Sequence, residues 1–289
     1  MRIAIYGPGP IGSTFAFHLA RAGHDVTVIA RGRRLAYLEQ ERAIVTTQGE
    51  RAPVEVRAAL DPATPWDLVL VTVLDSQVDA VLPALRDSAA KQVMFMFNTF
   101  EPFDRLRDAV GAQRFAFGFP AILADFQEDG RLKTQVIPRS RFSPQLTTVT
   151  HANWAEVFTK AGIDTDTEAD MHSWLRTHAA LVVPVILISD RVHKRGTPLS
   201  WSEAKHFAEG MVEGVAVVRS LGHALKPAPV AIFSKLPASA LTPLLWLVSR
   251  SASVMALGHK GPGEAHTLMD SMIAAAPTRA ATLRALRAA

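Results

Sequence analysis

The 289-residue chain contains no cysteine. Disulfides, thiolate nucleophiles and thiolate metal sites are thereby excluded. It also lacks any long run of one charge: 31 lysines and arginines against 27 acids give a net charge of only +4, with no basic run of five or more. A nucleic-acid partner is therefore not expected, whereas an anionic small molecule suits the balance. The longest unbroken apolar stretch, residues 179–188, contains Pro184 and is too short to cross a bilayer, so no membrane partner is expected. The opening residues MRIAIYGPG offer neither the apolar core nor the cleavage site of a signal peptide. These absences lead to the expectation of a soluble, cytoplasmic chain. Its 48% hydrophobic and 20% charged content is globular, and its length accommodates two domains.

Patterning divides the chain. Residues 2–6 read as a buried strand that runs into GPGPIG at 7–12; 13–22 follow a helical period, and DVTVIA at 25–30 is β-branched and apolar. Strand, glycine turn, helix and strand together have the size of one βαβ unit. Residues 43–47 and 52–58 suggest a hairpin, and 68–73 and 93–97 suggest parallel strands buried on both faces. Helices are expected over 77–85, 103–110 and 154–161, and further sheet strands over 114–118, 131–137 and 145–148. Beyond residue 166 the strand signals vanish, and 171–188, 202–221, 229–233, 240–257 and 263–275 read as helices, with Pro184 expected to kink or divide the first. The alanine-rich tail is expected to fray. The expectation is α/β: a Rossmann-type dinucleotide-binding domain at 1–167 and an all-helical substrate or dimerisation domain at 168–289.

The glycines at 7–12 each have a physical task. Gly7 allows a tight turn out of the strand, Gly9 lets a pyrophosphate approach bare backbone, and Gly12 lets helix and strand pack closely. Pro10 and Ile11 are expected cofactor-binding residues of the turn, ahead of a helix whose N-terminus favours anions. An NAD site normally has an acid at the end of the second strand. Here the residues are Ala30, Arg31, Gly32, Arg33 and Arg34. A guanidinium pairs with a 2′-phosphate that a carboxylate would repel. NADP(H) is the expected cofactor and Arg31 its expected phosphate ligand, with Arg33 and Arg34 open to a purely solvated role. Asp25 lies at the wrong end of its strand to serve as the ribose acid.

With these motifs in place the chain resembles the ketopantoate reductase (2-dehydropantoate 2-reductase) family. GPGPIG is similar to the family's glycine turn, and ARGRRLAYL to its Arg-Gly segment. LVTVLDSQVDAVLPAL, ending at Leu85, resembles its third stretch beside the cofactor, and FNTF places Asn98 on the family's asparagine. EGVAVVRSLGHAL at 213–225 resembles a C-terminal-domain helix, and GPGEAHTLMDSM resembles the late segment with an acidic residue, here Glu264. The resemblance implies hydride delivery from NADPH to a small oxo acid in a cleft between domains, with a lysine on the first C-terminal helix protonating the oxygen. That lysine is missing: Leu175 or Arg176 stands there, depending on whether Pro184 or Trp174 anchors the alignment. A second family lysine falls on Leu74, and the glycine after Asn98 is Thr99.

Other groups must then supply the chemistry. His178 shares a helix face with Leu175, and an imidazolium there could donate the proton. Arg176 is too weak an acid but could clamp a carboxylate. Asn98, just beyond a buried strand, suits the nicotinamide ribose or substrate, and Glu264 and Ser253 suit the substrate. His259, Glu264 and His266 lack the HExxH spacing, and no metal is expected. Three functions remain open: an NADP-dependent reductase of a small oxo acid, a non-catalytic NADP(H)-binding or redox-sensing derivative, and a β-hydroxyacid-dehydrogenase-like enzyme. A homodimer is left open.

Overall fold

A computed structural model describes residues 1–140, 145–227, 235–251 and 262–288. The expected helix at 229–233 and the stretch 252–257 lie outside these residues. The chain separates into two units, one of residues 1–97 and 103–171, the other of residues 98–102 and 172–289.

The first unit is built on an eight-stranded sheet. Its strands are β1 (Arg2–Tyr6), β2 (Asp25–Ile29), β5 (Glu55–Arg57), β6 (Leu68–Val71), β7 (Val93–Met96), β8 (Phe115–Phe119), β11 (Thr147–Val149) and β12 (Thr165–Thr167). They lie in the order β12-β11-β8-β7-β6-β1-β2-β5. All neighbours pair in parallel except β11 with β8. Ile3, Ile5 and the whole of β6 are wholly buried, as expected where both faces are covered. Strand β1 lies between β2 and β6, Ile3 being registered with Val26 on one side and Leu68 on the other. The chain runs outward from β1 to β2 and later returns to β1's other edge at β6. The carboxyl end of β1 is therefore a topological switch point, where folds of this kind leave a crevice. Helix α1 (Pro10–Arg21) and helix α2 (Gly32–Glu41) follow β1 and β2.

Several local expectations are corrected by context. The expected second arm at 52–58 splits: β4 (Arg51–Pro53) pairs antiparallel with β3 (Ala43–Val45), while β5 joins β2. Residues 131–137 do not extend the main sheet. Strand β10 (Leu132–Val136) pairs with β9 (Ile122–Phe126) in a separate hairpin, and Thr134 on it hydrogen-bonds Thr14 of α1 at 2.8 Å. The helix expected over 77–85 becomes a 3-10 turn (Asp75–Ala80) and a new helix (Leu82–Asp87) with Pro83 in its first turn, because proline lacks the N–H that would continue the earlier ladder.

The second unit is helical in its described residues beyond 171. Pro184 does not divide the helix Met171–Arg195, which is continuous. Ala180, Val183, Leu187 and Ile188 bury the segment around it, and that packing offsets the lost backbone bond. By length and hydropathy this helix is apolar enough to cross a membrane, but 67% of its most apolar window is buried within the protein, as in a core helix. It packs with Trp201–Ser220, Ala238–Val248 and Pro262–Ala275 around a core that includes Phe207, Met211, Leu241 and Met272. The tail is not a frayed continuation. Residues 276–280 break the helix, and Ala281–Ala288 forms another with Leu283 and Leu286 buried. The Glu213 carboxylate accepts the free N–H groups of Thr282 and Leu283 at 3.0 and 2.8 Å, supplying the cap that a helix start requires.

Beneath the sheet, Phe158 is wholly buried with its ring centroid 5.1 Å from that of Phe15 on α1. Phe158→Ala is expected to lower the unfolding free energy by about 3–5 kcal/mol. Chemical denaturation followed by circular dichroism checks this, and a loss under about 1 kcal/mol would contradict the packing.

Candidate functional site

Strand β1 ends at Tyr6, and the chain turns at Gly7 with φ +86°. That region is open to glycine, and a β-carbon there would also lie 2.6 Å from Val73 Cγ1. At Gly12 a β-carbon would collide with Thr72 Oγ1 and come within 2.8 Å of the Gly7 carbonyl. Gly9 differs: nothing lies within 4 Å of where its β-carbon would be. Gly7 and Gly12 are thus required by protein packing, whereas the bare face of Gly9 fronts empty space. Gly9 is also the N-cap of α1, and no side chain caps that helix. The first turn, containing Pro10, Ile11 and Gly12, has no acid in it. Its positive end is left for an anion.

The space in front is a cavity of 530 Å³ within the first unit. Gly7, Gly9, Pro10, Ile11, Arg31 and Arg34 line it, together with Thr72, Gln77 and Phe126. Thr72 was not singled out from sequence. Its hydroxyl donates to the Gly7 carbonyl at 2.7 Å, tying β6 to the turn. The available signal was a single polar residue closing an otherwise apolar strand.

Of the three arginines at the start of α2, Arg33 is exposed, and Arg31 and Arg34 differ sharply. Arg31, its N-cap, is exposed and lines the cavity, and among the described residues no ion pair or side-chain hydrogen bond holds its guanidinium. Arg34, one turn later, is not merely solvated. It donates to the carbonyls of Pro8 (3.3 Å) and Gly130 (3.1 Å) and to Ser13 Oγ (3.0 Å). Its guanidinium carbon sits 4.0 Å from the Phe126 ring centroid and 5.0 Å from that of Tyr37. Burial pushes its pKa down to about 10. Asp25 lies at the opposite end of β2, exposed and 3.6 Å from Arg2.

The remaining candidates belong to the second unit. Asn98 follows β7, is 8% exposed, and its Oδ1 has no hydrogen-bond partner among the described residues. A buried acceptor without a donor is costly, about 1–3 kcal/mol, and marks a place where a ligand hydroxyl or amide would be welcome. Arg176 is buried and already engaged. It donates to the Phe100 carbonyl at 3.0 Å, bonds His223 Nε2, and lies 5.0 Å from the Phe100 ring centroid. His178 stacks on Trp174 with centroids 5.4 Å apart and rings 9° from parallel. Burial pushes its pKa down to about 4, because a charged ring would lose its hydration there. The imidazolium expected from sequence is therefore not its resting form at neutral pH. Glu264 is half-buried in the first turn of Pro262–Ala275. Ser253 and His259 lie outside the described residues.

A glycine turn at the switch point of a parallel sheet, with an uncapped helix behind it, defines a Rossmann-type dinucleotide-binding domain. Residues 3–143 match the family Ketopantoate reductase PanE/ApbA, so this segment is similar to a domain of that family. The chain is 35% identical over 99 residues to 2-dehydropantoate 2-reductase of Vibrio cholerae serotype O1, covering 34% of this chain and 31% of that protein. Its aligned stretches thus span about a third of the length of the curated relatives it matches. Among solved structures it resembles a PanE/ApbA family ketopantoate reductase from Ralstonia eutropha JMP134 (TM-score 0.73, 22% identity, 100% of this chain and 96% of that one). It also resembles D-mandelate dehydrogenase in complex with NADH (TM-score 0.71, 13% identity, 99% and 96%). At these identities the likeness is one of fold.

The depressed pKa of His178 has a consequence for stability. Its ordinary value is 6.5 and its folded value about 4, so between them the unfolded chain binds the proton better. The stabilisation is complete above about pH 6.5 and is lost as pH falls toward 4, by about 1–3 kcal/mol. His178→Gln is expected to remove this dependence. Denaturation of both forms from pH 4 to 8 checks it; a difference between them that does not vary with pH would contradict it.

Proposed function

We propose that this protein is an NADP(H)-dependent reductase of a small oxo acid. The observation that carries the proposal is Arg31, a guanidinium at the rim of the glycine-turn cavity that is unpaired among the described residues, on a strand end without a carboxylate. The residues present fit a dinucleotide: the open face of Gly9 admits the pyrophosphate, and the uncapped start of α1 offers its N–H groups. The 2′-phosphate falls to Arg31, as a charge-assisted pair. When bound, the reduced nicotinamide supplies the hydride for the carbonyl carbon.

On the substrate side, Oδ1 of Asn98, without a partner among the described residues, accepts from a hydroxyl or amide of the bound ligand. Glu264 is proposed to meet substrate hydroxyls, and Ser253 to help bind substrate. Arg176, held by Phe100 and His223, more naturally orders the segment around Asn98 than clamps a carboxylate through a free fork. His178 acts, in this proposal, as a neutral N–H hydrogen-bond donor to the carbonyl oxygen, and the proton that completes the alcohol comes from solvent. Leu244 and Leu247, large and exposed on the helix Ala238–Val248, support placing a homodimer contact on the helical unit. A soluble cytoplasmic enzyme is part of the same proposal.

Titration of the protein with NADPH and NADH, followed by a screen of branched 2-oxo acids for loss of reduced-cofactor absorbance, tests the function. Nucleotide binding without turnover across the panel would favour a non-catalytic binder instead. Arg31→Ala is expected to weaken NADPH binding at least about tenfold while leaving NADH nearly unchanged, the cost of one charge-assisted pair. Equal losses for both nucleotides would remove the phosphate role from Arg31.

A further inference from the structure

We propose that Arg34 is the positioning residue of the nucleotide site: it locks the glycine turn, the start of α1 and the β9–β10 hairpin into one rigid cradle and touches no phosphate itself. The proposal rests on the dinucleotide site just described and gives its second arginine a different task from its first.

The geometry is that of a strut. Nε of Arg34 donates to the Pro8 carbonyl inside the turn, Nη2 to Ser13 Oγ on α1, and Nη1 to the Gly130 carbonyl at the hairpin tip. Ser13 Oγ in turn donates to the same Pro8 carbonyl at 2.9 Å, closing a ring of hydrogen bonds behind the turn. Ser13 is wholly buried. The Pro8 carbonyl and the Gly9 N–H belong to one planar peptide, so fixing the oxygen fixes the plane. A carbonyl free to swing toward the cavity would turn its negative end on an incoming phosphate. Two donors hold this one back.

The hairpin is fastened by the same side chain. Phe126, on β9, lies over the Arg34 guanidinium and also lines the cavity. The hairpin therefore contributes a wall to the nucleotide site and is not a mere appendage of the sheet. Three acceptors on three segments, plus a flat face for an aromatic ring, require a planar fork with five donors. A lysine ammonium keeps the charge but cannot span them.

The consequence is a division of labour that can be measured. Arg34 acts through the shape of the cradle, which both nucleotides share, whereas Arg31 acts on the group only NADPH carries. Calorimetric titration of Arg34→Lys with NADPH and NADH, at a temperature where melting curves show the variant folded, is expected to give about tenfold weaker binding of both. The NADPH:NADH preference stays at the wild-type ratio, and the retained charge gives no rescue. Phe126→Leu loses affinity in the same parallel way, to a smaller extent. If Arg34→Lys does not fold, Ser13→Ala carries the test, since it removes one arm of the ring and no charge; parallel weakening is again expected. Wild-type affinity in the folded variant overturns the proposal, and so does a loss confined to NADPH, which would make Arg34 a phosphate ligand. Failure of the wild-type protein to bind either nucleotide would remove the site itself, an outcome distinct from both.

Discussion

A phosphate can approach the turn at residues 7–12 only because bare backbone faces it. That condition organises the first unit. At Gly9 the missing β-carbon leaves open space, while at Gly7 and Gly12 it avoids collisions with Val73 and Thr72. The same property thus serves two ends, access on one side and close packing on the other. Packing supports access: Thr72 holds the Gly7 carbonyl, and Arg34 and Ser13 hold that of Pro8. The glycines at 7, 9 and 12 leave the backbone few restraints of its own at those positions, and neighbouring segments fix it from outside.

The electrostatics follow the same arrangement. The uncapped start of α1 points its positive end at the cavity, and no acid in its first turn opposes it. Arg31 and Arg34, three residues apart at the start of α2, divide between exposure and confinement. Arg31 keeps an exposed guanidinium at the cavity rim; Arg34 exchanges its hydration for three hydrogen bonds and an aromatic face. A charge in solvent adapts to a ligand, whereas a charge bonded on three sides cannot, which suits it to hold structure.

In the second unit the chemistry is differently disposed. Desolvation keeps His178 neutral at physiological pH, and Arg176 is spent on the backbone beside Asn98 and on His223. Asn98 stands apart, with an amide oxygen that is buried and has no hydrogen-bond partner among the described residues.

Much of this was legible from residues alone. The strand at 2–6, the glycines at 7, 9 and 12, and the absence of an acid after β2 are local facts, and local sterics and charge determined the α/β character, the glycine turn and the anionic class of ligand. The expectation of an all-helical second half likewise followed from the loss of alternating apolar residues beyond 166. Tertiary structure alone decided what distant segments do to one another. Nothing in the sequence near Arg34 reveals that Gly130 and Phe126 will meet it, nor that β5 and β10 will leave their expected partners. A long helix can bury Pro184 where its neighbours compensate for the lost bond, and a histidine's charge depends on the water its surroundings exclude. Such properties arise from contacts between residues far apart in the chain, and the local pattern of apolar and polar residues carries no record of them.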